Sequence, residues 1–93
     1  MNEDLLIQEN NKQMLLRALG KVVNQKRKEM KKGINKFSFE YDIGNGLLSR
    51  LERGDVDTKI STLWKLANAF GLSFSEFAKL IENELPEDFN FYN

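Results

Sequence analysis

Residues 42–54 read Asp42-Ile-Gly-Asn-Gly-Leu-Leu-Ser-Arg-Leu-Glu-Arg-Gly54, and how this stretch folds decides the rest. Ile43 is an apolar residue just after a short helical segment, and Gly44 is a small residue at which a new helix can begin. Leu48 and Leu51 then stand one turn apart and make an inner apolar face. Asn45, Gly46, Ser49 and Arg50 fall on the opposite, polar side. Gly54 ends the segment, because glycine takes the left-handed conformation that closes a helix C-terminus.

Outward from this stretch the chain reads as helices. Leu15, Leu16, Leu19, Val22, Val23 and Met30 recur at spacings of three and four, which predicts a long first helix over about residues 12–31. Its start could reach back to Leu5-Leu6-Ile7, or those residues could form a separate short piece. Lys32-Gly33 is the expected stop, with lysines in the last turn where the helix dipole favours them. A short second helix is expected over about 34–41 with Phe37 and Tyr41 inward, and a third over about 45–53. A fourth, about 61–70, places Leu63, Leu66, Ala67 and Phe70 on one face and has Gly71 just past its end. Ser73-Phe-Ser-Glu76 is a capping box for a fifth helix, about 74–84, with Phe74, Phe77, Leu80 and Ile81 inward, and Pro86 follows as a stop. No strand pattern competes inside this span. The expected organisation is an N-terminal extension (1–11), one all-α domain (12–84) and a C-terminal tail (85–93).

Composition excludes several classes. A 93-residue chain with 41% hydrophobic residues has enough for one modest core. It has no cysteine and no histidine, which removes disulfides, thiolate metal sites, and the commonest general base and metal ligand. No nucleophile stands beside a base in a recognisable motif, and Asp55-x-Asp57 falls far short of a calcium loop. An enzyme is therefore not expected, and neither a cofactor nor a metal is implied. No apolar run reaches the ~20 residues that span a bilayer. The Met-Asn-Glu-Asp start is unlike a signal peptide, so the expected location is cytoplasmic.

Net charge is zero, yet its distribution is uneven. Residues 15–36 carry eight cations (Arg17, Lys21, Lys26, Arg27, Lys28, Lys31, Lys32, Lys36) against the single Glu29, a local charge of +7. A positive block between acidic flanks can recruit phosphate, although a solvated lysine face explains it as well.

A turn, an outward-aimed N-terminus, an apolar inner face and a polar outer face are how a helix-turn-helix presents its second helix. The run Ser49-Arg-Leu-Glu-Arg-Gly54, then Ile60-Ser-Thr-Leu63, Leu66-Ala67, Phe70-Gly-Leu72 and Glu76-Phe77, resembles the lambda-repressor-like (Cro/Xre-type) helix-turn-helix family. The resemblance covers roughly residues 15–80 and implies a compact five-helix DNA-binding domain. In that family helix 2 lies across the DNA backbone and helix 3 enters the major groove.

The resemblance carries over residue by residue. It implies base contacts from Asn45, Gly46, Ser49 and Arg50. Asn45 offers the donor and acceptor that suit adenine, and Arg50 can fork onto guanine or reach a phosphate. Gly46 has no side chain to read with, so it either admits close backbone approach or weakens specificity. Leu47 could touch a thymine methyl or simply pack. Phosphate contacts are implied for Asn35 and Lys36 at the start of helix 2, and for Arg53 and Lys59 beyond helix 3. Asp55 and Asp57 depart from the pattern, since they put negative charge in a loop that relatives often make basic. Between helices 1 and 2 either Gly33 or Asn35 is the cap, and Gly33 keeps Phe37, Ser38 and Tyr41 in the family register. An Arg27–Glu52 ion pair is implied between helix 1 and the end of helix 3. It would fix the pose of the recognition helix if buried, and would count for little if exposed.

The function these residues imply is sequence-specific duplex DNA binding by a small transcriptional regulator, most simply a repressor. A homodimer through helix 5 and the tail is expected, with Phe39, Phe89, Phe91 and Tyr92 as candidates for an apolar patch that the tail either covers or offers to a partner. An antitoxin that holds a toxin with its acidic C-terminal half, and a protein-interaction module that has lost DNA affinity, are the alternatives.

Overall fold

The computed structural model describes residues 3–93, and among them it has five helices and no strand. They are α1 (Glu3–Glu29), α2 (Ile34–Tyr41), α3 (Asn45–Glu52), α4 (Ile60–Ala69) and α5 (Phe74–Asn83). The all-α, five-helix architecture is the one the periodicity implies.

Helix α1 is longer than its periodicity suggests. It runs unbroken from Glu3, so Leu5-Leu6-Ile7 belong to it and are not a separate piece. Residues 3–11 of the expected extension are its first turns, and residues 1 and 2 lie outside the described residues. At 1.5 Å per residue the helix is about 40 Å long and sets the 43 Å long axis of the molecule. Glu3 and Asp4 lie in the first turn and Lys26, Arg27 and Lys28 in the last, each matched in sign to the helix dipole.

The stop of α1 differs from expectation. The helix ends at Glu29, and Lys31 takes the left-handed conformation (φ 57°), its N–H bonding the Lys28 carbonyl at 2.9 Å. Gly33 is extended (φ −72°, ψ 169°) and caps α2. Of the two registers open from the sequence, the Gly33 cap is therefore the one adopted. Helices α3 and α4 end as their glycines require. Gly54 and Gly71 both have φ 75°, and the residue after each donates back into the last turn, Asp55 to the Arg50 carbonyl and Leu72 to the Ala67 carbonyl, both at 2.9 Å.

Val23, Phe37, Leu48, Leu51, Leu66 and Phe77 are wholly buried, so all five helices reach one core. The Phe37 ring links Tyr41 (centroids 4.7 Å apart) to Phe70 (5.4 Å), which continues to Phe77 (6.1 Å). Ile43, in the turn between α2 and α3, is 4% exposed and plugs this core. Leu47 packs against the same cluster, the ordinary one of its two readings. Ser38 is buried, and its Oγ has no partner among the described residues. Ser38→Ala removes that orphaned hydroxyl and installs the better helix former. It should raise stability by about 1 kcal/mol in chemical denaturation; a loss would mean that the hydroxyl has a partner.

The contact that positions α3 is polar and close. Gln13, Arg17, Gly20, Asn24 and Arg27 recur at spacings of four and three, one stripe along α1. Gln13 Nε2 donates to the Gly54 carbonyl at 2.9 Å. A Cβ on Gly20 would lie 2.6 Å from both the Leu51 and Glu52 carbonyl oxygens, and one on Gly54 would meet the Arg17 backbone at 3.2 Å. Glycines on both sides thus let the C-terminal end of α3 rest on the α1 backbone.

Candidate nucleic-acid interface

The last two positions of the stripe grip the last residue of α3. Arg27 Nε and Nη2 donate to Glu52 Oε2 and Oε1 at 2.7 and 2.8 Å, and Asn24 Nδ2 donates to Oε1 at 2.8 Å. Arg27 Nη1 also donates to the Lys32 carbonyl at 2.9 Å, which ties the α1–α2 connection to the same node. Both side chains of the ion pair are over nine-tenths buried. Burial pushes the Glu52 carboxyl up, and the bonds from Arg27 and Asn24 together outweigh it, so it stays below the ordinary value of 4.5. The bond to Glu52 raises the Arg27 guanidinium against its burial. A charged, forked clamp of this kind fixes orientation.

With its inner face and C-terminus held, α3 turns its other face to solvent. Asn45, Gly46 and Arg50 are exposed, and Ser49 is half-buried. The Arg50 side chain has no hydrogen bond or ion pair among the described residues, and its Nη1 sits 4.0 Å from where a Cβ of Gly46 would be. That is ordinary van der Waals contact, so Gly46 is not required to make space for the guanidinium. The Asn45 side-chain amide donates to the Asn35 side-chain oxygen, which joins the first turns of α2 and α3. Ser49 is less available, since its Oγ accepts from Arg53 Nη1 at 2.9 Å.

The four residues expected to hold phosphates separate into two groups. Lys36 and Lys59 are exposed and make no hydrogen bond or ion pair among the described residues, although Lys36 lies close enough to Glu40 to help hold its carboxyl down. Asn35 is exposed but bonded to Asn45, and Arg53 is occupied by Ser49 and by Asp55, whose Oδ2 lies 3.0 Å from Arg53 Nε. The acidic loop is thus partly neutralised from within, Asp55 by Arg53 and Asp57 by Lys12 at 3.5 Å. Much of the basic block is committed too. Lys21 pairs with Glu84, Lys26 with Glu29, Arg27 with Glu52, and Lys32 with Glu40.

Helices α2, α3 and α4 begin at Gly33, Gly44 and Lys59 with no side-chain cap bond. Their first amides are left for solvent or an anion. Helix α5, by contrast, has a complete capping box from Ser73 and Glu76. The C-terminal tail is also folded back. Asn11 Nδ2 lies within 3.0 Å of the carbonyls of Asn90, Phe91 and Asn93, so the tail lies along α1. It does not cover Phe39, which is 89% exposed. Sequence reasoning missed the Gln13–Arg27 stripe, the Asn35–Asn45 bond and the Asn11 clamp. Only the spacing of the stripe was visible in the chain.

Among the described residues no group of acidic side chains could hold a metal ion, and no helix is long and apolar enough to cross a membrane. Comparison with protein families matches residues 23–77, more than half of the chain, to a helix-turn-helix family. Comparisons with curated proteins and with solved structures gave no match. The match spans α2 to α4 with the clamp residues Asn24, Arg27 and Glu52, and stops short of Gly20. Given this match and a short α3 clamped from behind with its far face in solvent, the chain belongs to the lambda-repressor-like (Cro/Xre-type) helix-turn-helix family of DNA-binding regulators.

Proposed function

We propose that this chain is a sequence-specific transcriptional repressor that binds duplex DNA as a homodimer and acts by occluding a promoter. The observation that carries the reading is the outward face of α3, where Asn45 and Arg50 stand in solvent and Arg50 has no internal partner. Asn45 and Arg50 read base edges. Lys36, Lys59 and the uncapped starts of α2, α3 and α4 hold phosphates. Arg53 joins them once it lets go of Asp55. Pairing is supported by Ile60 and Trp64, exposed on α4, and by the stacking of Trp64 on Phe74 at the start of α5 (centroids 4.7 Å apart).

Selection of bound duplexes from a random pool tests this. A palindrome with half-sites one helical turn apart, ~34 Å, is the expected product. A single unrepeated site would remove the homodimer, and no enrichment would overturn sequence-specific binding. Asp55→Asn is expected to free Arg53 for a phosphate. Affinity should rise about three- to fivefold at low salt, with a salt slope steeper by about 0.9, in an anisotropy titration. Unchanged affinity and slope would show that Arg53 never reaches the backbone.

A further inference from the structure

We infer that Phe39 is itself a DNA contact, an apolar ring that packs on the deoxyribose edge beside the phosphates gripped by α2; this rests on the DNA-binding reading above. Phe39 is 89% exposed, more than any other large apolar side chain among the described residues. It has no part in the core, where Phe37, two residues earlier, is wholly buried. Its place on α2 says what it faces. Phe39 follows Asn35 by four residues and Lys36 by three, so on the helix surface it falls between them, one turn further along. Asn35 bonds to Asn45 in the first turn of α3, so this side of α2 runs directly into the face that reads bases.

Charge decides between occupants. On the helix surface the ring lies between Asn35 and Lys36, with Asp42 three residues further on. Asp42 pairs with Lys65 and Glu40 with Lys32, which leaves Lys36, close enough to act on Glu40, as the cation without an ion pair among the described residues. An apolar protein surface laid over Phe39 would have to strip water from that cation with only the Glu40 carboxylate, already paired with Lys32, to compensate. A nucleic-acid backbone supplies both needs, a phosphate for Lys36 and a carbon-rich sugar for the ring. Contacts to phosphate and sugar place a helix on the duplex without reading sequence, so the contribution of Phe39 should be independent of sequence.

The test is an anisotropy titration of a short mixed-sequence duplex at several salt concentrations, with the intact chain and with Phe39→Ala, Phe39→Leu and Lys36→Ala. Phe39→Ala should weaken binding about tenfold at every salt concentration and leave the salt slope unchanged, because no charge is lost. Phe39→Leu should keep most of the affinity. Lys36→Ala should lower the slope by about 0.9. Thermal unfolding of Phe39→Ala should match that of the parent chain, since the ring buries almost nothing. The same duplex with uracil for thymine should behave identically. If Phe39→Ala binds as tightly as the parent chain, the sugar contact is overturned and the DNA reading stands. If the ring matters only on the thymine duplex, it meets a base methyl and the assignment to sugar is overturned. If the parent chain shows no salt-dependent binding at all, both readings fall together.

Discussion

Glu52→Ala is expected to cost about 3–5 kcal/mol of folding stability, the effect of leaving Arg27 buried without its partner. That is a large part of the ~5–15 kcal/mol that holds a typical domain together. The size follows from the geometry. Three hydrogen bonds of 2.7–2.8 Å converge on one carboxylate, and both members of the ion pair are over nine-tenths buried. Chemical denaturation of Glu52→Ala, Arg27→Ala and the double variant measures it. The double variant should be less destabilised than the sum of the two singles, because it strands no charge. A loss below about 1 kcal/mol for Glu52→Ala would place the pair in the regime of screened surface ion pairs. The same carboxylate sets a pH dependence. Its folded-state pKa lies below the ordinary 4.5, so its contribution is complete above that value and is lost as pH falls through the folded pKa. The acid limb of the stability curve should accordingly be shallower in Glu52→Gln.

Gly20→Ala should destabilise the protein by about 1–3 kcal/mol or more, although alanine favours a helix interior over glycine by ~1 kcal/mol. The sign reverses because the added methyl would lie 2.6 Å from two carbonyl oxygens of α3. Backbone cannot move aside as a flexible side chain can, so α3 must shift off α1. Thermal melting gives the sign at once, and a stabilised variant would contradict the close approach. The same shift would displace Arg50 and Asn45, so surviving Gly20→Ala protein should bind duplex DNA more weakly than its folded fraction accounts for.

The parts of this fold legible in the sequence are those governed by local rules. Apolar spacing around Phe37, Leu48, Leu66 and Phe77 marked α2 to α5 to within a residue or two, and Gly54, Gly71 and Ser73 to Glu76 marked their ends. The stop of α1 was not legible, because the left-handed position falls on Lys31, whose side chain does not announce that conformation. In the sequence the start of α1 is open between a helix reaching back over Leu5-Leu6-Ile7 and a separate piece, because the polar run of residues 8–13 interrupts the apolar stripe, and the helix takes the first course. Gly20 reads as a weak point in a helix until α3 is known to lie against it. For the interface, residue types marked the outward face of α3. Whether each side chain was free depended on partners in other elements or turns, Asn35 for Asn45, Asp55 for Arg53, and Arg53 for Ser49. Such pairings leave no periodic trace in a sequence.

We propose that duplex DNA binds on the solvent face of α3. Backbone amide chemical shifts, followed while the duplex recovered from a random pool is titrated in, test it most directly. The largest shifts are expected across Asn45 to Arg50, with smaller ones at Asn35, Lys36 and Lys59. Shifts that leave α3 untouched and gather instead on Ile60, Trp64 and Phe74 would contradict it.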